Sequence, residues 1–367
     1  MKTILSIIKN ETFSAYLLIP IAVMSIFLGG RFSHQFLVEP HSFLGSNLSL
    51  TQITLDFLLG FFFFNIGLEL RYELAEGALQ DRKILIVSGI GAGLGMLAPA
   101  LIYILINYGK GTSTTGWGIT MATDLPVVLA VIAIFRLGRL KGFILALATI
   151  DDVGSIIVLS VLYKAHIHLV YILVLIVIIA LYFLSSYLFS SRLLLIALFM
   201  MGLFIGHRAG IQTSLIAVLF GILTFNNRKK EVDLHQRMIN VVEPFSAFIV
   251  VPIFVFVSLF RHFDFSLKSV GSSLVVTLVL ARLVGKPIGI FIGILIGKSL
   301  LKIQLPFSTA ESLLVGALGT LGLAVSLIFA EKDFGGLQQN LAVMAILLTI
   351  PFGILLTLII RTLTYRD

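Results

Sequence analysis

One feature constrains this chain more than any other. Stretches of about twenty residues with almost no charge follow one another from residue 12 to residue 360, joined by short polar links. About twenty apolar residues in a helix span the ~30 Å hydrocarbon core of a bilayer. Hydrophobic residues make up 58% of the sequence and charged residues only 12%, about half the roughly 25% that a globular surface carries. A soluble enzyme, a disordered tail and a secreted disulfide scaffold are therefore excluded. The chain has no cysteine, which removes disulfides, thiolate metal sites and cysteine nucleophiles. Barrel strands alternate apolar and polar residues, whereas these runs are continuously apolar. The class that remains is an all-α polytopic membrane protein.

The apolar runs predict twelve transmembrane helices: 12–30, 52–72, 83–107, 116–137, 141–163, 168–190, 192–206, 210–226, 240–260, 270–297, 308–330 and 338–360. The seventh and eighth are short. No linker sets off an extramembrane part, so 1–367 reads as a single transmembrane domain. The opening MKTILSIIKNETFS is cut by Lys9, Asn10 and Glu11 and has no small-residue cleavage site. It reads as a short interfacial helix and not as a signal peptide. With the N-terminus in the cytoplasm, seventeen of the 26 basic residues fall on inner segments and seven on outer ones. That bias predicts both termini in the cytoplasm. It also accounts for the net charge of +8 without a nucleic acid.

A charge at mid-membrane costs at least about 2.5–3.5 kcal/mol, so the charges left inside spans are informative. They are Asp56 in span 2, Asp124 in span 4, Asp151 and Asp152 in span 5, and Arg282 and Lys286 in span 10. Asp151 and Asp152 sit mid-helix in LALATIDDVGSIIVLSVLY. Two adjacent carboxylates in a low dielectric cannot both stay ionised without a cation. Such a pair takes up protons or a hard cation with oxygen ligands, and competition between the two is exchange. The plainer alternative is a neutral or salt-bridged structural pair. Lys286, in ARLVGKPIGIFIG, is the natural counter-charge. It either pairs with a carboxylate when the ion is absent, carries a proton itself, or forms a purely structural bridge.

Asp124 precedes Leu125-Pro126. The residue before a proline avoids the α region, so span 4 is expected to break near its centre. Gly316, Gly319 and Gly322 give span 11 the means to unwind as well, or simply a close-packing face. Interrupted spans at matching positions point to inverted-topology repeats, here about 83–163 and 270–360, with the site at the two breaks. Asp124 would then balance the positive ends of the broken helices. Asp56 is a lone carboxylate, either on an ion path or hydrogen-bonded in place. Glu69 and Glu73 lie four residues apart beside Arg71 at the inner end of span 2. They form either an acidic, pH-responsive entrance or a solvated helix end. His34 and His41 share one outer segment, and His166 and His168 another, without metal-ligand spacing. No phosphate-binding loop, HExxH or nucleophile elbow occurs.

Through GLELRYEL (67–74), GWGITMATD (116–124), the Asp151-Asp152 segment (147–163), GKPIG (285–289) and the glycine-rich span 11, the sequence resembles the NhaA-type sodium/proton antiporter family. The resemblance implies twelve helices with spans 4 and 11 discontinuous and crossing at the site. It implies Na+ or Li+ bound by Asp151 and Asp152 in competition with H+, Lys286 paired with Asp151, and Thr123 with Asp124 supporting the crossing. It further implies a homodimer in the bacterial inner membrane, with 31–50 as a dimer-contact segment, and no cofactor. Five positions depart from the family pattern: Pro126, Tyr72, and Gln212, Asn240 and Glu243 where the family carries histidines. Arg282 is an additional charge. These departures predict an altered pH window or steepness of activation, with Glu243 joining Glu69, Arg71 and Glu73 among the candidate pH-responsive groups.

Two other classes use some of the same features. A sodium-coupled solute symporter on a similar fold needs an organic-substrate pocket. An intramembrane aspartyl protease needs two carboxylates that share a proton across two helices. Here the conspicuous pair is adjacent on one helix, opposite a lysine.

Overall fold

The computed structural model describes residues 20–21, 24–25, 40–43, 46–49, 57–108, 115–163, 168–188, 192–224, 234–260 and 267–365. Most of span 1, most of 31–50 and Asp56 lie outside the described residues. Within 31–50, β1 (Pro40–Phe43) and β2 (Ser46–Ser49) pair antiparallel, Phe43 opposite Ser46 and Pro40 opposite Ser49. The other regular structure among the described residues is helical.

In chain order the helices are α1 (Leu59–Ala75), α2 (Arg82–Asn107), α3 (Leu125–Ile134), α4 (Lys141–Leu162), α5 (Leu169–Leu188), α6 (Arg192–Ala209), α7 (Thr213–Leu223) and α8 (Leu234–Phe245). They continue with α9 (Val251–Phe260), α10 (Leu267–Val270), α11 (Ser273–Leu280), α12 (Lys286–Leu301), α13 (Thr309–Leu318), α14 (Ala324–Asp333) and α15 (Gly336–Thr364). A widened turn, Ala281–Gly285, joins α11 to α12 without a break in the helical path. Seven helical stretches among the described residues are long and apolar enough to cross a membrane: Arg82–Asn107, Thr115–Ile134, Gly138–Leu162, Leu169–Leu188, Arg237–Phe260, Ser273–Leu301 and Gly336–Thr364. Leu193–Ala209, Thr213–Leu223 and Thr309–Leu318 are shorter apolar helices. The 11 residues of α7 rise only about 17 Å, well short of the hydrocarbon core.

Helix starts follow local chemistry. Asp81 accepts from Lys83 N at 2.8 Å and caps α2. Ser308 and Glu311 form a capping box at α13: Glu311 N donates to Ser308 Oγ at 3.2 Å and Ser308 N donates to Glu311 Oε2 at 2.6 Å. Pro126 sits in the first turn of α3, where no intrahelical donor is needed. The interruption expected at Leu125-Pro126 therefore lies just upstream, at residues 121–124.

The chain forms two compact units. Among the described residues, one lies within 17–72 and 156–261 and the other within 73–155 and 262–367. The described part of the first is knit by aromatic side chains. Phe61 meets Phe199 and Phe245 edge-on, each at 5.3 Å between centroids. Tyr182 meets Phe220 at 4.7 Å. The buried Tyr182 hydroxyl donates to Thr224 Oγ1 at 2.8 Å, and Thr224 passes a bond on to Phe220 O at 3.1 Å. The polar tip of the tyrosine is thus satisfied inside an apolar cluster.

In the second unit α12 lies against α2 along a line of small residues. Gly285 abuts Pro99, Gly289 abuts Leu94 and Ala98, Gly293 abuts Gly91, and Gly297 abuts Val87. A glycine every fourth residue lets two backbones approach, the usual basis of helix association in lipid. A Cβ on Gly293 would stand 2.7 Å from the Gly91 Cα, so the helices must part to admit it. Gly293→Val is expected to lose about 1–3 kcal/mol, read as a lower melting temperature in detergent. An unchanged melting temperature would show that the α2–α12 contact yields freely.

Candidate functional site

The site is built in the second unit from two interrupted segments. In the first, a short helical turn, Thr115–Thr120, gives way to extended residues before α3. In the second, α13 ends at Leu318 and α14 begins at Ala324, with residues 321–323 non-helical between them. Each interruption leaves main-chain N–H and C=O groups without helical partners, and a buried polar group left unpaired is costly.

The two segments answer this need for each other. Asp124 N donates to Leu321 O at 2.7 Å, and Thr123 Oγ1 donates to Gly319 O at 2.9 Å. Ala324 N, at the start of α14, donates to Asp124 Oδ2 at 3.2 Å. A carboxylate thus stands at a helix N-terminus, where the dipole favours negative charge. The carbonyls of the other break receive cations. Lys286 Nζ donates to Met121 O. Arg282 Nη2 donates to Ala122 O, and Arg282 Nη1 donates to Ser326 Oγ at 3.0 Å and to Ile119 O at 3.4 Å.

Lys286 also forms an ion pair with Asp151 Oδ2 at 2.8 Å, both side chains being buried. The other carboxylate oxygen, Asp151 Oδ1, is buried and has no hydrogen-bond donor among the described residues. One turn further along α4, the buried Ser155 Oγ is in the same condition. Asp152 is buried beside them at 5% exposure. Asp124, Thr123, Asp151, Asp152, Lys286 and Arg282 are all buried within this unit. Among the described residues no three His, Cys, Asp or Glu side chains gather as a metal-ligand set. A hard cation at the aspartate pair would complete its shell with carbonyl and hydroxyl oxygens, as such cations do.

The entrance candidates fall elsewhere. Glu69 accepts from Asn65 Nδ2, one turn back on α1, and Arg71 Nη1 donates to Ile222 O at 2.7 Å. Glu73, beyond the end of the predicted second span, is buried and not solvated, and its Oε2 accepts from Ala78 N at 2.8 Å. Burial pushes the Glu73 carboxyl up, while the main-chain N–H groups of Ala78 and Leu79 pull the other way. Glu243 is half-buried on α8.

Sequence reasoning passed over Ser326, which receives Arg282 and itself donates to Ile119 O at 3.0 Å. It also passed over the cluster at α13. Tyr365 OH donates to Glu311 Oε1 at 2.8 Å, Arg139 approaches Glu311 Oε2 at 3.5 Å, and Arg139 Nε donates to Pro306 O at 2.8 Å. The S-x-x-E signature at 308–311 was the available signal for the cap.

A profile of the family described as "Na+/H+ antiporter 1" matches residues 5–360. The chain belongs to this family. The antiporter family groups secondary transporters, so this chain is a membrane transporter and not an enzyme, and the protease reading falls away. Over 330 residues it is 30% identical to the Na(+)/H(+) antiporter NhaA of Aliivibrio salmonicida (strain LFI1238), covering 87% of this chain and 86% of that protein. The Na(+)/H(+) antiporter NhaA of Vibrio vulnificus (strain YJ016) is 29% identical over 345 residues, 90% of this chain and 87% of the relative. That of Aeromonas salmonicida (strain A449) is 31% identical over 296 residues, 78% and 74% respectively.

Two outcomes are expected for this antiporter-family chain. Lys286→Met leaves Asp151 buried without its counter-charge and should destabilise by about 3–5 kcal/mol, with Asp151→Leu added in the same chain restoring much of the loss. Thermal unfolding of the single and double variants checks this. For Glu73 the raised carboxyl means that folding favours its neutral form. Its contribution is complete below the ordinary value of 4.5 and is lost as pH climbs through the raised value. Glu73→Gln should therefore gain melting temperature relative to the parent as pH rises from acid to neutral.

Proposed function

We propose that this chain is a secondary active antiporter that exports Na+ or Li+ in exchange for H+, with cation and protons competing at Asp151 and Asp152. One observation carries the reading: a buried lysine holds one oxygen of Asp151 while the other oxygen has no donor among the described residues, and Asp152, the following residue, is buried as well. A buried carboxylate oxygen without a donor takes a proton or a cation. Family membership and the Na+/H+ antiport for which the relatives are named support the same exchange.

The mechanism is alternating access. The site opens to one side, takes up protons, and opens to the other, where sodium replaces them. Protons or sodium neutralise the carboxylates, so the loaded site changes sides and the bare charged site does not. Lys286 keeps Asp151 paired between the two loads. Thr123 and Asp124 hold the interrupted segments together as discontinuous spans 4 and 11, crossing within inverted repeats at about 83–163 and 270–360 of a single twelve-helix transporter domain. Asp56 belongs to the ion path, and Glu69, Arg71, Glu73 and Glu243 to the pH-responsive entrance. The protein works without a cofactor or a nucleic-acid partner. It sits as a homodimer in the bacterial inner membrane, with 31–50 at the dimer contact and both termini in the cytoplasm.

The test is cation-driven proton flux in everted membrane vesicles, with Na+, Li+ and K+ added separately across a pH series. Na+ and Li+ should dequench an internal-pH dye, and Asp152→Asn should abolish the signal. With histidines absent at Gln212, Asn240 and Glu243, the activation profile should differ in midpoint or steepness from that of relatives that carry them. Inserted, folded protein that answers no cation at any pH would overturn the antiporter reading in favour of a sodium-coupled symporter.

A further inference from the structure

Arg282 is the largest fully buried side chain among the described residues. It sits in the widened turn Ala281–Gly285, one turn before Lys286, and such turns concentrate at functional positions. Its hydrogen bonds go to neutral oxygens: the carbonyls of Ile119 and Ala122 and the hydroxyl of Ser326. The carboxylates of Asp151 and Asp124 act on its charge from further off. Room for the guanidinium is made by Gly322, where a Cβ would overlap both Arg282 Nη2 and the Ala122 carbonyl.

Without the arginine, these oxygens would have the chemistry of an alkali-cation site. Carbonyls freed at a helix interruption and a neighbouring hydroxyl are hard donors that coordinate sodium in unwound membrane helices. Carbonyls at a helix C-terminal end carry partial negative charge, and two carboxylates add a favourable field. A guanidinium keeps its charge under all ordinary conditions and cannot leave.

We propose that Arg282 is a tethered cation filling a latent second sodium site formed by Ile119 O, Ala122 O and Ser326 Oγ, and that it thereby confines the transported ion to the aspartate pair. The consequence for transport rests on the antiporter reading; the latent site itself does not.

The experiment counts Na+ bound per chain by equilibrium dialysis on purified full-length protein. Arg282→Ala is compared with its parent in both the Asp152 and the Asp152→Asn backgrounds. Removing Arg282 should add one Na+ per chain in each background, and Arg282→Lys, which leaves an ammonium among the same oxygens, should add none. Folded Arg282→Ala protein that binds no more Na+ than its parent overturns the proposal, because water then satisfies the oxygens. Unchanged Na+ binding in Asp152→Asn alone would instead count against the aspartate reading, while the difference made by Arg282 stays readable. Should Arg282→Ala not fold in N-methylglucamine chloride, it is prepared in sodium chloride or methylguanidinium chloride. Recovery in these salts is expected, and failure in both overturns the proposal.

Discussion

A helix interrupted inside an apolar environment depends on whatever meets its freed main-chain groups. Here the burden falls on a few side chains. Asp124 takes the N–H at the head of α14, while Lys286 takes the carbonyl of Met121 and Arg282 those of Ile119 and Ala122, at and just beyond the end of the turn Thr115–Thr120. Negative charge stands at a helix N-terminus and positive charge at a carbonyl end, as the backbone dipoles require. The direct links between the segments, Asp124 N to Leu321 O and Thr123 Oγ1 to Gly319 O, fix their register. The charges of the proposed site are therefore also structural ones. Any step that changes the charge of this cluster acts on the backbone around it.

Lys286 and Arg282 lie one turn apart on the same helical path and are not equivalent. The ammonium of Lys286 is a compact charge shared between one carboxylate oxygen and one carbonyl, so its pairing can be exchanged. The planar fork of Arg282 spreads over three oxygens from both interrupted segments. That is the difference between a movable point charge and a pre-organised clamp. The glycines of α12 bring the helix that begins at Lys286 against α2.

Much of this was legible from residue type alone. Charges cannot sit mid-span without cause, so Asp124, Asp151, Asp152, Arg282 and Lys286 stand out in the sequence, and a lysine opposite paired carboxylates suggests its own partner. What each charge touches was not legible. The carbonyl partners of Arg282 and Lys286 are main-chain atoms, which no side-chain pattern marks. Ser326 is one hydroxyl among many. The proline at 126 signals an interruption, yet it is tolerated inside the first helical turn, so the break lies just upstream, at residues 121–124. Glu73 sits in a pattern that fits a solvated helix end, whereas the turn at Gly77–Ala78 brings main-chain N–H groups back to its carboxylate and buries it. That depends on a backbone reversal that composition does not encode.

The span between Asp151 and Lys286 bears on how such a protein is made. The two partners are 135 residues apart in the chain. At ordinary synthesis rates that is a delay on the order of 10 s. Asp124 and Ala324 are separated by 200 residues. During biosynthesis the helix carrying the two aspartates must enter the bilayer, or wait at its edge, before its counter-charge has been translated. Until then the carboxylates are held neutral by protons or kept in water. The helices can thus be threaded one by one, but the charged centre closes only when the later helices arrive.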